Sequence, residues 1–183
     1  MSVTIAKWTL DEYHQMIDAG ILDDRRVELL RGEIVEMPPE GEPHAFDSNE
    51  AFKYLLKLLD GLADVRSAKP ITLPNNSEPE PDIAIVQPLG REYRNHHPYP
   101  ENIFWVIEYS NSSLSKDLEI KRKIYAEAGI CEYWVVNLKR SQLIVFRDPQ
   151  NGDYSSEMTL TNGTIAPIAF PEISVDRILD ICN

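Results

Sequence analysis

Asp82 follows Pro81 at the head of an apolar run, Asp82-Ile83-Ala84-Ile85-Val86, and Glu108 closes a second one, Trp105-Val106-Ile107. Lys121 comes later, in a segment with a helical pattern. Two carboxylates brought in by separate strands can hold one hard divalent cation, Mg²⁺ or Mn²⁺, through oxygen ligands. A cation held this way polarises a phosphoryl oxygen and lowers the pKa of bound water. A neighbouring ammonium can orient that water or offset developing charge. The chemistry in view is hydrolysis of a phosphodiester. Strand-end acids also occur on solvated rims, and Asp117 four residues before Lys121 makes an ordinary helical ion pair worth roughly 0.2–0.5 kcal/mol. Spacing by itself leaves both readings open.

Other residues could join such a site. Glu28 alternates with Val27 and Leu29 and so projects from the opposite strand face. It is either an exposed hairpin acid or a third carboxylate reaching the metal or its water shell. His44 follows a loop containing Pro38, Pro39 and Gly41. It could bind phosphate, move a proton or cap the next helix. Asn111, Ser112, Ser113 and Ser115 can cap a helix or contact substrate phosphates. Adjacent His96 and His97 lack a partner at zinc spacing. No glycine-rich nucleotide loop or serine elbow is present.

The elements that must position these groups alternate between strand and helix patterns. Thr9 and Glu12 form a capping box for a first helix through Tyr13 and Met16. Two short apolar arms flank Arg31-Gly32 as a hairpin. A helix is predicted from Asp47 to Leu59, closed by Asp60-Gly61, and a strand from Val65 to Leu73 that Pro70 confines to an edge or irregular position. The segment from Gln87 to Asn102 reads as an extended loop, and Phe104 to Ile107 as a buried strand ending at Glu108. A helix from Lys116 to Ala128, stopped by Gly129, places Ile120, Ile124 and Ala128 on one side. Cys131–Asn137 and Gln142–Phe146 read as paired strands. A turn at Asn151-Gly152, short irregular strands and a brief helix near Val175–Ile181 complete the chain. Trp105 and Trp134 are expected in the core, with Trp8 against the first helix.

The pattern predicts one mixed α/β domain over residues 1–183. A hydrophobic fraction of 43% and a charged fraction of 26% suit a folded chain. No apolar run is long enough to span a bilayer, and the N-terminus has no export-signal pattern, so a cytoplasmic location is expected. Cys131 and Cys182 are expected as reduced thiols. A net charge of −12 disfavours tight, non-specific binding of a polyanion. A bound metal reverses the local sign, so the charge does not exclude a metal-dependent nuclease.

In VELLRGEIVEMPPEG with His44, EPDIAIV, VIEYSNSSL, DLEIKRKIYAEAGICEYWVVNL and the late AFPEISV, the chain resembles the Uma2 (DUF820) family of restriction-endonuclease-like proteins. The resemblance extends over nearly the whole chain. It implies the PD-(D/E)xK nuclease fold: a mixed central sheet with flanking helices and an N-terminal hairpin. It also implies metal-binding roles for Asp82 and Glu108, with Glu28 as the early acid and His44 as the histidine after the proline-rich turn. The usual nuclease pattern has lysine two positions after the second acid, where this chain has Ser110. Lys121, from the next helix, matches the position that replaces it in Uma2 proteins. The implied activity is Mg²⁺-dependent DNA cleavage, with Mn²⁺ as an alternative cofactor and a homodimer as a plausible assembly. Two other readings remain: an inactive nuclease fold that binds a protein, and a phosphoesterase acting on a smaller substrate.

Overall fold

Apolar side chains occupy both faces of the strands around the two acids, which suits a sheet covered on both sides. A computed structural model of the chain describes residues 4–176 and Ile178. Helix α1 (Leu10–Asp18) starts at Thr9, where both halves of the expected capping box form with Glu12. Hairpin strands β1 (Val27–Leu30) and β2 (Glu33–Glu36) follow, paired in a sheet of their own. Arg31 and Gly32 turn between them with φ of 49° and 76°, the pair of positive values that a two-residue hairpin loop requires. A Cβ on Gly32 would lie 2.8 Å from the Trp8 carbonyl oxygen, so both conformation and space call for glycine. Helix α2 (Glu42–Leu58) begins earlier than the predicted Asp47. Pro43 in its first turn has a preset φ and needs no intrahelical donor, so the proline-rich loop launches the helix. His44 therefore lies in that first turn, not at the end of a loop.

The main sheet has six strands in the spatial order β3 (Asp64–Ser67), β4 (Ile83–Val86), β5 (Ile103–Ser110), β6 (Glu132–Asn137), β7 (Gln142–Gln150) and β8 (Asp153–Leu160). All neighbours are antiparallel except β5 and β6. That parallel pair needs a crossover, supplied by residues 114–127, which comprise α3 (Leu114–Lys116), a π-turn (Asp117–Lys121) and α4 (Arg122–Glu127). Side chains alternate across the sheet. Ile83, Ile85, Trp105, Ile107 and Trp134 pack with Ala51 and Leu55 of α2 and with Leu59, which caps it. Ala84, Val86, Val106, Tyr133 and Val135 pack with Ile124, Tyr125 and Ala126 of α4. Trp105 and Trp134 are fully buried, with ring centroids 5.6 Å apart.

Several boundaries differ from the sequence reading. β3 stops at Ser67, because Ala68 takes a φ of 47° before Pro70 is reached. The 87–102 segment contains two 3₁₀ turns, Gly90–Arg94 and Pro100–Asn102, held partly by Tyr93 Oη donating to the Gln87 carbonyl. β8 is a regular eight-residue strand across the Asn151-Gly152 turn. The helix expected near Val175–Ile181 falls mostly outside the described residues; Val175 itself bridges Ile165. Among the described residues no helix is long and apolar enough to cross a membrane.

Candidate active site

Asp82 sits one residue before β4, and its Oδ2 accepts the Tyr109 backbone N–H of the adjoining β5 at 2.6 Å. This bond ties the acid to the neighbouring strand. His44 Nε2 approaches the same oxygen at 3.1 Å, from the first turn of α2. Glu108 does not end its strand as expected. β5 continues to Ser110 in parallel register with β6, and Glu108 pairs with Val135. Its side chain is buried on the α4 face, where Lys121 Nζ and Tyr125 Oη both donate to Oε1 at 2.8 Å. Glu28 is likewise not an exposed hairpin acid. It is 1% exposed; Lys116 Nζ lies 2.8 Å from its Oε1 and Lys121 Nζ 3.2 Å from its Oε2. Asp82, Glu108, Lys121, Glu28 and His44 thus line one cavity of about 70 Å³, enough space for several waters.

The crossover helix owes this placement to its π-turn. Arg122 N–H donates to the Asp117 carbonyl, five residues back instead of four. Tyr133 Oη donates to that same carbonyl at 3.2 Å. The extra residue shifts the helical phase. Ile120, expected on one side with Ile124, is 45% exposed while Ile124 is buried, and Lys121 is 3% exposed and faces the acids. In a regular α-helix residues 116 and 121 would point about 140° apart; here both lysines reach Glu28. The anticipated Asp117–Lys121 pair yields to the Glu28 and Glu108 contacts of Lys121, while Asp117 Oδ2 accepts Ser110 Oγ and Ser113 Oγ, each at 2.7 Å.

Burial and mutual charge tune these groups strongly. Burial pushes the Glu108 carboxyl up to about 8; Lys121 opposes the shift and the Asp82 charge adds to it. Burial also raises Glu28, but the Lys121 and Lys116 ammoniums overcome it and hold that carboxyl below its ordinary value. Burial disfavours charge on Lys121, yet Glu108 and Glu28 raise its pKa well above the usual lysine range. His44 follows the same logic: burial lowers it, and the Asp82 hydrogen bond together with the Asp82, Glu40 and Glu108 charges raises it above its ordinary value.

The remaining sequence candidates lie close by. Ser113 lines the acid cavity but spends its hydroxyl on Asp117. Asn111 and Ser112 line an adjoining hollow with His44 and Ser113. His96 Nδ1 bonds the His97 carbonyl at 2.8 Å and stacks on Tyr99, away from this cavity. Sequence reasoning missed Lys116, Tyr125 and Glu80. Tyr125 stands four residues after Lys121, so helical spacing could have revealed it. Lys116 could not be found that way, because its alignment with Lys121 depends on the π-turn. Glu80 lines the cavity two residues before Asp82, and burial and the Glu28 charge raise its pKa.

Hard-cation chemistry fits part of this donor set. The protein hydrogen bonds engage Oδ2 of Asp82 and Oε1 of Glu108, leaving Oδ1 and Oε2 of these acids without a donor among the described residues. Also among the described residues, no group of three or more His, Cys, Asp or Glu side chains is arranged to hold a metal ion. Two carboxylates suit Mg²⁺, which ordinarily keeps several waters and takes further ligands from a substrate phosphate.

A mixed sheet flanked by helices, with these acids beside the parallel crossover, has restriction-endonuclease-like architecture. The chain belongs to the Uma2 family: the family model described as "Putative restriction endonuclease" matches residues 10–180. Its fold is similar to a crystal structure described as a putative nuclease belonging to DUF820 from Anabaena variabilis ATCC 29413, with a TM-score of 0.73 and 15% sequence identity. The similarity covers 96% of this chain and 99% of that one. No curated protein matches the sequence.

Proposed function

We propose that this protein is a Mg²⁺-dependent DNA endonuclease whose metal is held by Asp82 and Glu108. The observation that carries the reading is that both acids face the Lys121 cavity while, among the described residues, each keeps an oxygen free of protein donors. Held there, Mg²⁺, or Mn²⁺ in its place, would polarise the phosphate and lower the pKa of bound water. The Tyr109 amide fixes Asp82, and Tyr125 with Lys121 fixes Glu108, so little reorganisation accompanies the reaction. Lys121 supplies positive charge to the attacking water or the developing phosphorane, and Glu28 holds that ammonium in place. His44, bound to Asp82, orients the acid and can pass a proton along the cavity wall. Asn111, Ser112 and Ser113 form an adjoining rim for phosphate contacts. Cutting both strands with one such site per chain calls for two chains acting together, so a homodimer is part of the proposal.

The test is incubation of supercoiled, linear and single-stranded DNA with Mg²⁺ or Mn²⁺. The wild-type protein is expected to nick or cut at least one of these, leaving 5′-phosphate and 3′-hydroxyl ends. Asp82→Asn and Glu108→Gln should abolish cleavage while retaining the fold, and Lys121→Ala should lower kcat by about 10²-fold or more. Equal cleavage by wild type and the doubly neutralised variant would reject the assignment. The net charge of −12 and the small cavity favour one further reading, a phosphoesterase for a compact substrate. Metal-dependent hydrolysis of a small aryl phosphodiester without any DNA cleavage would select it.

A further inference from the structure

Lys116 has no part in the mechanism above, yet its ammonium lies in the same cavity, 2.8 Å from Glu28 Oε1. The two lysines that share Glu28 are held differently. Lys121 is tied to both Glu28 and Glu108, and its side chain is 4% exposed. Lys116 has Glu28 as its ion-pair partner among the described residues and, on the same cavity lining, is 22% exposed. Arg26, another permanent cation on the lining, is more than half exposed and reaches Glu40 at 3.2 Å. An incoming phosphodiester brings non-bridging oxygens into a chamber crowded with carboxylates, and needs a cation that can move toward it. Removing an ammonium from a buried carboxylate is normally prohibitive, because it strands a charge. Glu28 escapes that cost, since Lys121 stays on its Oε2 at 3.2 Å, where the Glu80 N–H also donates at 3.4 Å.

We propose that Lys116 is a movable phosphate clamp, its ammonium leaving Glu28 for a non-bridging oxygen of the bound DNA backbone while Lys121 keeps Glu28 neutralised. The exchange replaces one lysine–carboxylate pair with a lysine–phosphate pair and breaks no covalent bond. A flexible stem carrying a compact point charge suits this role. The π-turn explains the pairing, because it brings two lysines five residues apart onto one carboxylate. This inference rests on the nuclease reading.

The experiment uses the full chain and a duplex oligonucleotide that the wild type cuts. Binding is measured across a salt series with Ca²⁺ replacing Mg²⁺, and steady-state cleavage is measured with Mg²⁺. Lys116→Gln, and Lys116→Met as a second neutral variant that retains the stem, should raise KM about tenfold with a much smaller change in kcat. The slope of log affinity against log salt should become shallower by about one, the signature of one lost phosphate contact. Lys116→Arg should restore both. A purely structural Lys116 would lower the unfolding midpoint without changing the salt slope. An unchanged slope and KM in both neutral variants, with wild-type cleavage intact, would overturn the clamp and leave the nuclease reading standing. Failure of the wild type to bind or cut any DNA would overturn both together.

Discussion

Glu108 is where function and stability pull apart. Its carboxyl is held in a buried site that favours the protonated form, with a pKa of about 8 against an ordinary 4.5. The folded state therefore binds this proton more tightly than the unfolded chain does. The resulting stabilisation is complete below pH 4.5 and is lost as pH rises toward 8. Glu28 acts in the opposite sense: its pKa is lowered, so its contribution is present above the ordinary value and is lost as pH falls through the folded one. Glu108→Gln removes only the first effect. In metal-free protein the variant should gain stability relative to wild type as pH rises from 5 to 8, by on the order of a few kcal/mol at most. Thermal unfolding of both proteins across that range reads this directly, and parallel curves would refute it. The sequence put Asp82, Glu108 and Lys121 forward as candidates because each adjoins a recognisable strand or helix pattern, and the structure places all three on one cavity. The burial of Glu28 was not, since alternation along one short strand does not reveal that the crossover helix covers its other face.

At the scale of elements, the π-turn decides which side chains share the cavity. The sequence reading placed Ile120 on one side of the helix with Ile124 and Ala128, as a regular helix requires; with the inserted residue Ile124 is buried, Ile120 turns outward and Lys121 inward. Periodicity cannot foresee this, because the π-turn is fixed by a tertiary contact, Tyr133 Oη on the Asp117 carbonyl. Deleting the exposed Glu119 should let the turn relax to i→i+4 bonding. Lys116 and Lys121 then stand four residues apart, about 40° round a regular helix, so both should still reach Glu28. We expect the deletion variant to keep its helical circular dichroism and a cleavage rate within about tenfold of wild type. A loss beyond about 10²-fold would show that the π-turn does more than set the phase of the two lysines. Other elements were readable because their determinants are local: the Thr9–Glu12 capping box, the Arg31-Gly32 turn and the Asn151-Gly152 turn all form where their residues indicated. Glu108 was misplaced at a strand end because parallel pairing of β5 with β6, a long-range contact, carries the strand on to Ser110.

For the whole molecule, the balance of charge sets the conditions for function. A chain of net charge −12 repels a polyanion at long range, and its cavity gathers more carboxylates than permanent cations. A divalent cation changes the local sign, so substrate binding and cation binding should be linked at this site. The order of patterns along the chain foretold a mixed α/β fold and the family resemblance a mixed sheet with flanking helices; the six-stranded order, with β5 and β6 parallel, realises that architecture. The depth of the site was not readable, because it arises where the hairpin, α2, β4, β5 and the crossover helix converge from distant parts of the sequence. The central claim is that Asp82 and Glu108 together hold one hard cation. Titration of Mn²⁺ followed by electron paramagnetic resonance tests it most directly, comparing wild type with the folded Asp82→Asn/Glu108→Gln double variant. The account expects about one bound Mn²⁺ per wild-type chain, competed by Mg²⁺ and lost in the double variant. Equal Mn²⁺ binding by the two proteins would contradict it.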